Sequence, residues 1–360
     1  MKFIIDSHIP YIHGVLEGSG HECCYVAPEK ITPQVCKAAD ALVIRTRTLC
    51  DASLLGGSSI KAIATATIGY DHIDTDYCRQ NGIAVFSAPG CNADAVCQWV
   101  FAALCAWSKI RGGDYHGMTL GIVGVGHVGS LVMRHAMQIG MKVLCCDPPL
   151  MRAQERAKRH HNLTPASQPQ DGFKPLTPAS QPPAGDRFAL LEDIDFVPLE
   201  YIARNADIVT LHTPLTLTGA DTTYHLCGKD FLDTFSASGK LLLNAARGGV
   251  LDEQQALLHP ETDYAIDCWE HEPRIGTEML NAALIATPHI AGYSAQGKAN
   301  ATTMAVRQIS RHFDLGLDQW TAPYTAPLQT AEYDIMADDK ALRQAPQQFE
   351  FFRSNYKLRE

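Results

Sequence analysis

Four stretches of the sequence place polar side chains directly after short apolar runs, where a buried strand would end. They cover residues 212–215, 244–249, 267–273 and 287–293, and they contain Arg247, Glu272 and His289. Histidine titrates near neutral pH and suits a general base, and a nearby carboxylate fixes its tautomer and stabilises its protonated form. Arginine binds a carboxylate through two parallel hydrogen bonds. The three residue types together predict removal of a hydroxyl proton from a substrate that carries a carboxylate.

A glycine-rich turn, GIVGVGHVG at 121–129, follows an apolar run and precedes a helical pattern. Gly124 permits a tight turn, Gly126 lets the backbone approach a pyrophosphate, and Gly129 lets the helix pack closely on the strand. The helix would begin at His127 and Val128, so its N-terminal amides would face the anion. The turn therefore predicts a dinucleotide site. Together with the predicted base and arginine, a bound nicotinamide would oxidise a 2-hydroxy acid by accepting the hydride from its C2 atom.

Asp147 ends the next apolar run, about 20 residues beyond the glycines, where an acidic side chain can bind an adenosine ribose. Its charge would repel a 2′-phosphate, so the sequence favours NAD over NADP. NADP stays open as an alternative, because several cations follow that could contact a 2′-phosphate or form a solvated helix face: Arg152, Arg156, Lys158 and Arg159.

Composition excludes several classes of protein. A chain of 360 residues is too long for one core and predicts two or three domains. The net charge of −9, without a long basic run, argues against a nucleic-acid partner, and no apolar run reaches the roughly 18 residues of a membrane span. Twelve cysteines without a C-x-x-C spacing or a signal peptide predict reduced thiols, a cytoplasmic location and no metal site.

Apolar runs that alternate with helical patterns predict an α/β protein with parallel, doubly wound sheets. In the first hundred residues the predicted strands are 2–6, 41–45, 60–67 and 83–87, followed by a long helix at 92–110. A second series has predicted strands at 118–123, 142–146, 208–211, 241–244, 264–267 and 284–287. Between them, 163–183 holds six prolines and LTPASQP twice, which predicts a surface insertion rather than a partner-binding motif.

The glycine turn with Asp147 and the stretches NAARGG, DCWEHEP and TPHIAG, in this order, resemble the D-isomer-specific 2-hydroxyacid dehydrogenases. The resemblance extends over nearly the whole chain, through ATATIGYDHID at 64–74, APGCNADAV at 88–96, CDPP at 146–149, HIAGYSAQGKA at 289–299 and YDIMADDKALR at 333–343. The APGCN and GYSAQGKA stretches point, within the family, to a phosphorylated 2-hydroxy acid as substrate. Members acting on other 2-hydroxy acids, and NAD-sensing proteins resembling corepressors, remain alternatives.

The resemblance implies a role for each matching position. Arg247 and Glu272 would be active-site residues, and His289 the proton donor or acceptor. The implied NAD contacts are Asp147, Thr213, Ala245, Ala246, Arg247, Asp267 and Gly292. The implied substrate contacts are Thr46, Thr67 and Tyr293, and the cations proposed for a phosphate pocket are Arg45, Arg47 and Arg343.

The family fold implies two Rossmann-like doubly wound parallel-sheet domains and a small C-terminal dimerisation domain. The substrate-binding domain would cover 1–108 and be completed by a returning segment at 289–330. The NAD-binding domain would cover 109–288, including the proline-rich insertion 163–183. The domain at 331–360, rich in aromatic residues, would make the protein a homodimer.

Overall fold

The computed structural model describes residues 1–160, 194–326 and 332–359. The chain forms two compact units. The first comprises Met1–Ala93, Tyr293–Ala331 and Leu358–Glu360, and the second comprises Asp94–Gly292 and Glu332–Lys357. The proline-rich segment 163–183 lies outside the described residues. Each unit is an α/β structure around a parallel sheet, which confirms the predicted fold class.

The first sheet has five strands in the order β2-β1-β3-β4-β5, and the second has six in the order β11-β10-β9-β8-β6-β7. The strands of the first sheet are β1 (Lys2–Asp6), β2 (Glu22–Val26), β3 (Ala41–Ile44), β4 (Ala62–Thr65) and β5 (Ala84–Phe86). Those of the second are β6 (Thr119–Val123), β7 (Lys142–Cys146), β8 (Ile208–Leu211), β9 (Leu241–Asn244), β10 (Asp263–Ile266) and β11 (Ile285–Ala286).

Helices cover these sheets. In the first unit they begin with α1 (Pro33–Cys36), α2 (Ala52–Leu55) and α3 (Thr75–Gln80), and α4 (Ala93–Arg111) then leads into the second unit. The second unit continues with α5 (His127–Gln138), α6 (Pro148–His160), α7 (Leu199–Asn205), α8 (Lys229–Phe235), α9 (Glu253–Ala256) and α10 (Thr277–Ala282). The chain then returns to the first unit as α11 (Ala295–Phe313), and α12 (Ile335–Gln344) and α13 (Phe349–Ser354) belong to the second.

The first unit buries apolar side chains on both faces of its sheet. Phe3 and Ile5 of β1 pack with Ala305 and Ile309 of α11, whereas Ile4 belongs to the cluster on the other face. A strand buried on both faces reads as a continuous apolar run, which is why β1, β3 and β4 are recognisable in the sequence.

The order of the second sheet creates a ligand-binding position. Strand β6 pairs with β7 on one side and with β8 on the other, so the chain reverses its winding direction between β6 and β8. In open α/β sheets, ligands bind beyond the carboxyl ends of the strands at such a switch point. The glycine turn follows β6, and Thr213 follows β8.

The C-terminal segment packs on the second unit. Asp339 of α12 is buried and accepts a hydrogen bond from the amide of Ala286 in β11, at 2.8 Å. Residues 332–357 therefore belong to the second unit rather than forming the separate compact domain expected at 331–360. Dimerisation through this segment stays a prediction.

No helix in the described ranges is long and apolar enough to cross a membrane. All twelve cysteines have free thiols.

Candidate active site

Parallel strands of the second sheet bring the four polar stretches to one edge, because their carboxyl ends point the same way. The four polar stretches begin where these strands end, at Leu211 of β8, Asn244 of β9, Ile266 of β10 and Ala286 of β11.

His289 and Glu272 form a hydrogen-bonded pair. The Nδ1 atom of His289 lies 2.6 Å from Oε2 of Glu272, and the amide of Trp269 donates to Oε1 of the same carboxylate at 2.8 Å. Burial alone would raise the pKa of Glu272, but the interactions with His289, Trp269 and Arg353 outweigh it and hold the pKa below its usual value. The carboxylate is therefore ionised at neutral pH and orients the imidazole, which agrees with the predicted pairing.

Asp267 fixes the loop that carries His289. It is 1% exposed, and Oδ1 accepts hydrogen bonds from the Thr287 hydroxyl at 2.6 Å and the Ile290 amide at 2.8 Å. Oδ2 accepts from the Ala291 amide at 2.9 Å. Burial raises the pKa of Asp267, and these hydrogen bonds together with His289 oppose the rise. Asp267 thus acts within the protein as a loop anchor, and its implied contact with NAD stays a prediction.

Arg247 follows a turn that Asn244 organises. The buried Asn244 side chain donates to the carbonyl oxygen of Arg247 at 2.9 Å and accepts from the amide of Ala246 at 3.2 Å. Gly248 comes next, and a Cβ there would overlap the carbonyl oxygen of Trp269. Only glycine permits this approach, so the segment with Arg247 lies directly against the segment that leads to Glu272.

The thiol of Cys268 lies close to both Glu272 and His289. Its Sγ atom, a carboxylate oxygen of Glu272 and a ring nitrogen of His289 all lie within 4.8 Å of one another. Burial raises the pKa of Cys268 well above its usual value, and the positive charge of Arg247 opposes that rise. The thiol is neutral, and the structure brings the three predicted catalytic residues into one region.

A second histidine near this edge is a poor proton acceptor. Burial lowers the pKa of His212 to about 3, and its Nε2 atom lies 3.0 Å from the Thr210 hydroxyl. His212 is therefore neutral at physiological pH, which leaves His289 as the better candidate for a general base.

The glycine turn has the form that a dinucleotide site requires. A Cβ on Gly124 would lie 2.8 Å from the carbonyl oxygen of His212, and one on Gly129 would overlap the carbonyl oxygen of Gly124. Around Gly126, by contrast, a Cβ would meet nothing within 4 Å. Helix α5 then begins at His127 without a side-chain cap, so the amides of its first turn are available to an anion.

Two polar side chains frame this turn. Asp147 accepts hydrogen bonds from the amide of Val125 at 2.8 Å and from that of Leu150 at 3.0 Å, which ties the glycine turn to the start of α6. The hydroxyl of Thr213 is buried and has no hydrogen-bond partner within the described protein. An orphaned hydroxyl and an open backbone surface at the switch point fit a bound dinucleotide.

The predicted substrate residues lie in the first unit, where three of them have partners. Arg45 forms an ion pair with the fully buried Asp6, with Nε 2.8 Å from Oδ2. The hydroxyl of Thr67 donates to the Gly69 carbonyl oxygen at 3.1 Å, and Lys298 Nζ lies 4.5 Å from the ring centroid of Tyr293. Thr46 is exposed.

The structure corrects the suggestion that Arg343 binds a phosphate. Its guanidinium donates to Asp339 and to the carbonyl oxygens of Leu280, at 2.5 Å, and Ala283, at 2.7 Å. These bonds hold α12 against the end of α10, and they engage all three nitrogen atoms of the guanidinium within the protein.

Sequence reasoning missed several residues that shape the site. The Nη1 atom of Arg353, on α13, lies 3.8 Å from Oε2 of Glu272, although the tail shows no local pattern that indicates this contact. Trp99 of α4 donates from Nε1 to the Thr287 hydroxyl at 3.0 Å. Thr287 lies inside the TPHIAG stretch, which was the available signal for its role.

Comparisons with known proteins agree with this geometry. Residues 4–319 match the family model described as D-isomer specific 2-hydroxyacid dehydrogenase, catalytic domain. The chain is 40% identical to a Bacteroides fragilis protein named erythronate-4-phosphate dehydrogenase, over 100% of this chain and 97% of the relative. It is 33% identical to a protein of the same name from Porphyromonas gingivalis, over 99% of this chain and 92% of the relative.

Solved structures support the fold. A 3-phosphoglycerate dehydrogenase from Entamoeba histolytica, determined with NAD⁺, is 22% identical with a TM-score of 0.64, covering 91% of this chain and 99% of that one. A D-lactate dehydrogenase from Aquifex aeolicus, determined with NAD and lactic acid, is 19% identical with a TM-score of 0.65, covering 90% of this chain and 100% of that one.

Proposed function

This chain belongs to the D-isomer-specific 2-hydroxyacid dehydrogenase family, and we propose that it oxidises 4-phospho-D-erythronate to 2-oxo-3-hydroxy-4-phosphobutanoate with NAD. The main support for this proposal is the hydrogen bond between His289 and Glu272, in which Nδ1 lies 2.6 Å from Oε2, in the same region as Arg247. The choice of substrate rests on relatives with 33–40% identity along nearly the whole chain, which carry the name erythronate-4-phosphate dehydrogenase. The reaction would serve the biosynthesis of pyridoxal 5′-phosphate.

His289 takes the proton from the C2 hydroxyl in this reaction. Its Nδ1 atom is engaged by Glu272, so Nε2 is the ring nitrogen left to face the substrate. The imidazole becomes positive when it takes the proton, and the ionised carboxylate of Glu272 stabilises that charge. Arg247 binds the substrate carboxylate and polarises the forming carbonyl group.

When bound, NAD would supply the acceptor for the hydride from C2. The pyrophosphate would lie at Gly126 and the N-terminus of α5, where the backbone is open and the amides of the first turn are uncapped. Asp147 would bind the adenosine ribose, and the buried hydroxyl of Thr213 would gain a partner. We also assign NAD contacts to His127, Val128, Gly124, Gly129, Ala245, Ala246, Asp267 and Gly292.

Substrate binding is assigned to Arg45, Thr46, Thr67 and Tyr293. The ion pair with Asp6 limits how Arg45 can be tested, because Arg45→Ala would leave a fully buried carboxylate without its partner. Arg45→Lys keeps a positive charge near Asp6 but loses the planar fork that binds phosphate through two bonds. It should raise KM for a phosphorylated substrate more than it raises the Kd for NAD.

The decisive experiment measures NADH formation by the purified protein with 4-phospho-D-erythronate, 3-phosphoglycerate and D-lactate. A parallel reaction includes a 2-oxo acid, so that slow release of bound NADH does not hide turnover. We expect kcat/KM to be highest for 4-phospho-D-erythronate. Equal use of the three acids would contradict the proposed substrate but would still be consistent with oxidation of 2-hydroxy acids. If none of the acids is oxidised and the protein binds a peptide in an NAD-dependent manner, it is an NAD-sensing protein instead.

We further propose that the protein is a cytoplasmic homodimer. Twelve free thiols favour a reducing compartment, and the exposed Phe351 on α13 is an apolar side chain suited to a subunit interface. Sedimentation of a single monomeric species at micromolar concentrations would contradict the dimer.

A further inference from the structure

We propose that His225 is a positioning residue for this reaction, which with Asp252 and Glu270 holds the segments carrying Arg247 and Glu272 in a fixed relation. The inference deepens the proposed function and rests on it, because it concerns how the same catalytic groups are aligned. We call these three side chains the brace.

The imidazole of His225 bridges two carboxylates on different segments. Its Nδ1 atom lies 3.2 Å from Oδ2 of Asp252, and its Nε2 atom lies 2.6 Å from Oε1 of Glu270. Asp252 comes five residues after Arg247, and Glu270 comes two residues before Glu272. One side chain therefore connects the two loops that supply the cation and the carboxylate of the active site.

The backbone around His225 is hydrogen-bonded to the loop that follows Arg247. Its amide donates to the carbonyl oxygen of Gly249 at 2.7 Å, and the amide of Cys227 donates to Val250 at 3.0 Å. His225 has a φ of 52°, in the left-handed region that a non-glycine residue adopts only at an energetic cost. The ring of Tyr224 stacks on His225 with centroids 3.9 Å apart, and a Cβ on Gly249 would lie 3.2 Å from that ring. The surrounding contacts thus hold the imidazole in a conformation that the chain does not favour by itself.

The Glu270 end of the brace is fixed as well. The amide of Glu270 donates to Oε1 of Glu253 at 2.7 Å, and the amide of Glu253 lies 3.4 Å from Oε2 of Glu270. Beside these bonds, Gly248 packs against the peptide between Trp269 and Glu270 too closely to admit a side chain. A change in the brace would therefore shift Arg247 relative to Glu272, and a displacement of about 1 Å in a catalytic group can reduce turnover roughly a hundredfold.

The test compares His225→Gly with the wild type. Glycine accepts the left-handed backbone, so this variant removes the imidazole without adding strain. His116→Gly is a matched control, because His116 also pairs with a carboxylate, Asp114, but both side chains are exposed and distant in sequence from the catalytic loops. If His225→Gly does not fold, His225→Asn replaces it, since asparagine tolerates the same backbone region.

We expect His225→Gly to lower kcat by about 10- to 100-fold with a change of less than about threefold in the Kd for NAD. In an Arg247→Lys background, where the alignment of the guanidinium is already lost, the same change should lower kcat less than about threefold. Equal factors in both backgrounds, or wild-type kcat in His225→Gly, would overturn the proposal. His116→Gly should retain wild-type kcat.

Hydrogen exchange separates this inference from the proposed function. Amides in 247–252 and 268–272 should exchange faster in His225→Gly than in the wild type and the His116→Gly control, whichever acid is the substrate. Unchanged exchange in both segments would overturn the brace even if the enzyme is active. If the wild type does not oxidise 4-phospho-D-erythronate, the proposed substrate fails, and the kinetic comparison is made with the 2-hydroxy acid that it does oxidise.

Discussion

Replacement of Glu253 by glutamine should remove a pH dependence from the stability of the protein. Glu253 begins α9, is 5% exposed, and accepts the amide hydrogen of Glu270. Burial is the largest influence on its carboxyl group and raises the pKa from 4.5 to about 7. Glutamine keeps an oxygen that accepts the same hydrogen bond and has no proton to lose.

The sign of the effect follows from proton linkage. The folded chain holds the Glu253 proton more tightly than the unfolded chain, so the free energy of unfolding falls as pH rises from 4.5 to about 7, and the loss is complete above that range. Because a tenfold change in proton affinity is worth about 1.4 kcal/mol, the raised pKa amounts to roughly 3 kcal/mol at alkaline pH.

Urea unfolding at several pH values between about 5 and 8.5 measures this effect. The stability of Glu253→Gln relative to the wild type should increase by about 2 to 3 kcal/mol across that range. Glu278→Gln is the control, because Glu278 is exposed in the first turn of α10 and its replacement should give a nearly constant difference. A constant difference for Glu253→Gln as well would show that burial does not raise the pKa of Glu253.

Three further substitutions test contacts at the site. Gly248→Ala should lower the free energy of unfolding in urea by more than about 3 kcal/mol, because the added Cβ would overlap a backbone carbonyl oxygen. Gly126→Ala should change the free energy of unfolding by less than about 1 kcal/mol, since nothing lies within 4 Å of the added Cβ, but it should raise the Kd for NAD measured by titration. Thr287→Val removes the hydroxyl between Trp99 and Asp267 and should lower the free energy of unfolding by about 2 to 4 kcal/mol; a loss below about 0.5 kcal/mol would contradict these buried bonds.

Much of the second sheet could be predicted from the sequence, because its strands are buried and read as continuous apolar runs. The predicted ranges 142–146, 208–211 and 241–244 coincide with β7, β8 and β9. Strand β2 was missed although residues 23–26 are all apolar, because the run is short, ECCYV is an edge strand and no position in it is fully buried. Strand β10 begins at Asp263, one residue before the predicted start, because Asp263 pairs with Leu241 of β9. A carboxylate is tolerated at this buried position because Trp107 and Arg111 donate hydrogen bonds to it.

Some contacts of the candidate site could be predicted from the sequence and others could not. The pairing of His289 with Glu272 could be predicted, because both residues follow strands of one sheet edge and their chemistry is complementary. The contact of Arg353 with Glu272 could not, because it joins positions 81 residues apart and leaves no local pattern. The brace was missed for a similar reason, since His225 lies in a loop and its role depends on two carboxylates that come together only in the folded chain.

The proposed reaction depends on His289, which Glu272 orients to take the proton of the substrate hydroxyl. The most direct measurement is the rate of NADH formation in a single turnover by His289→Ala and by the wild type, together with the Kd of each for NAD. We expect an unchanged Kd and a rate at least about a hundredfold lower in the variant, which is the usual contribution of a general base. A rate near that of the wild type would contradict this role of His289.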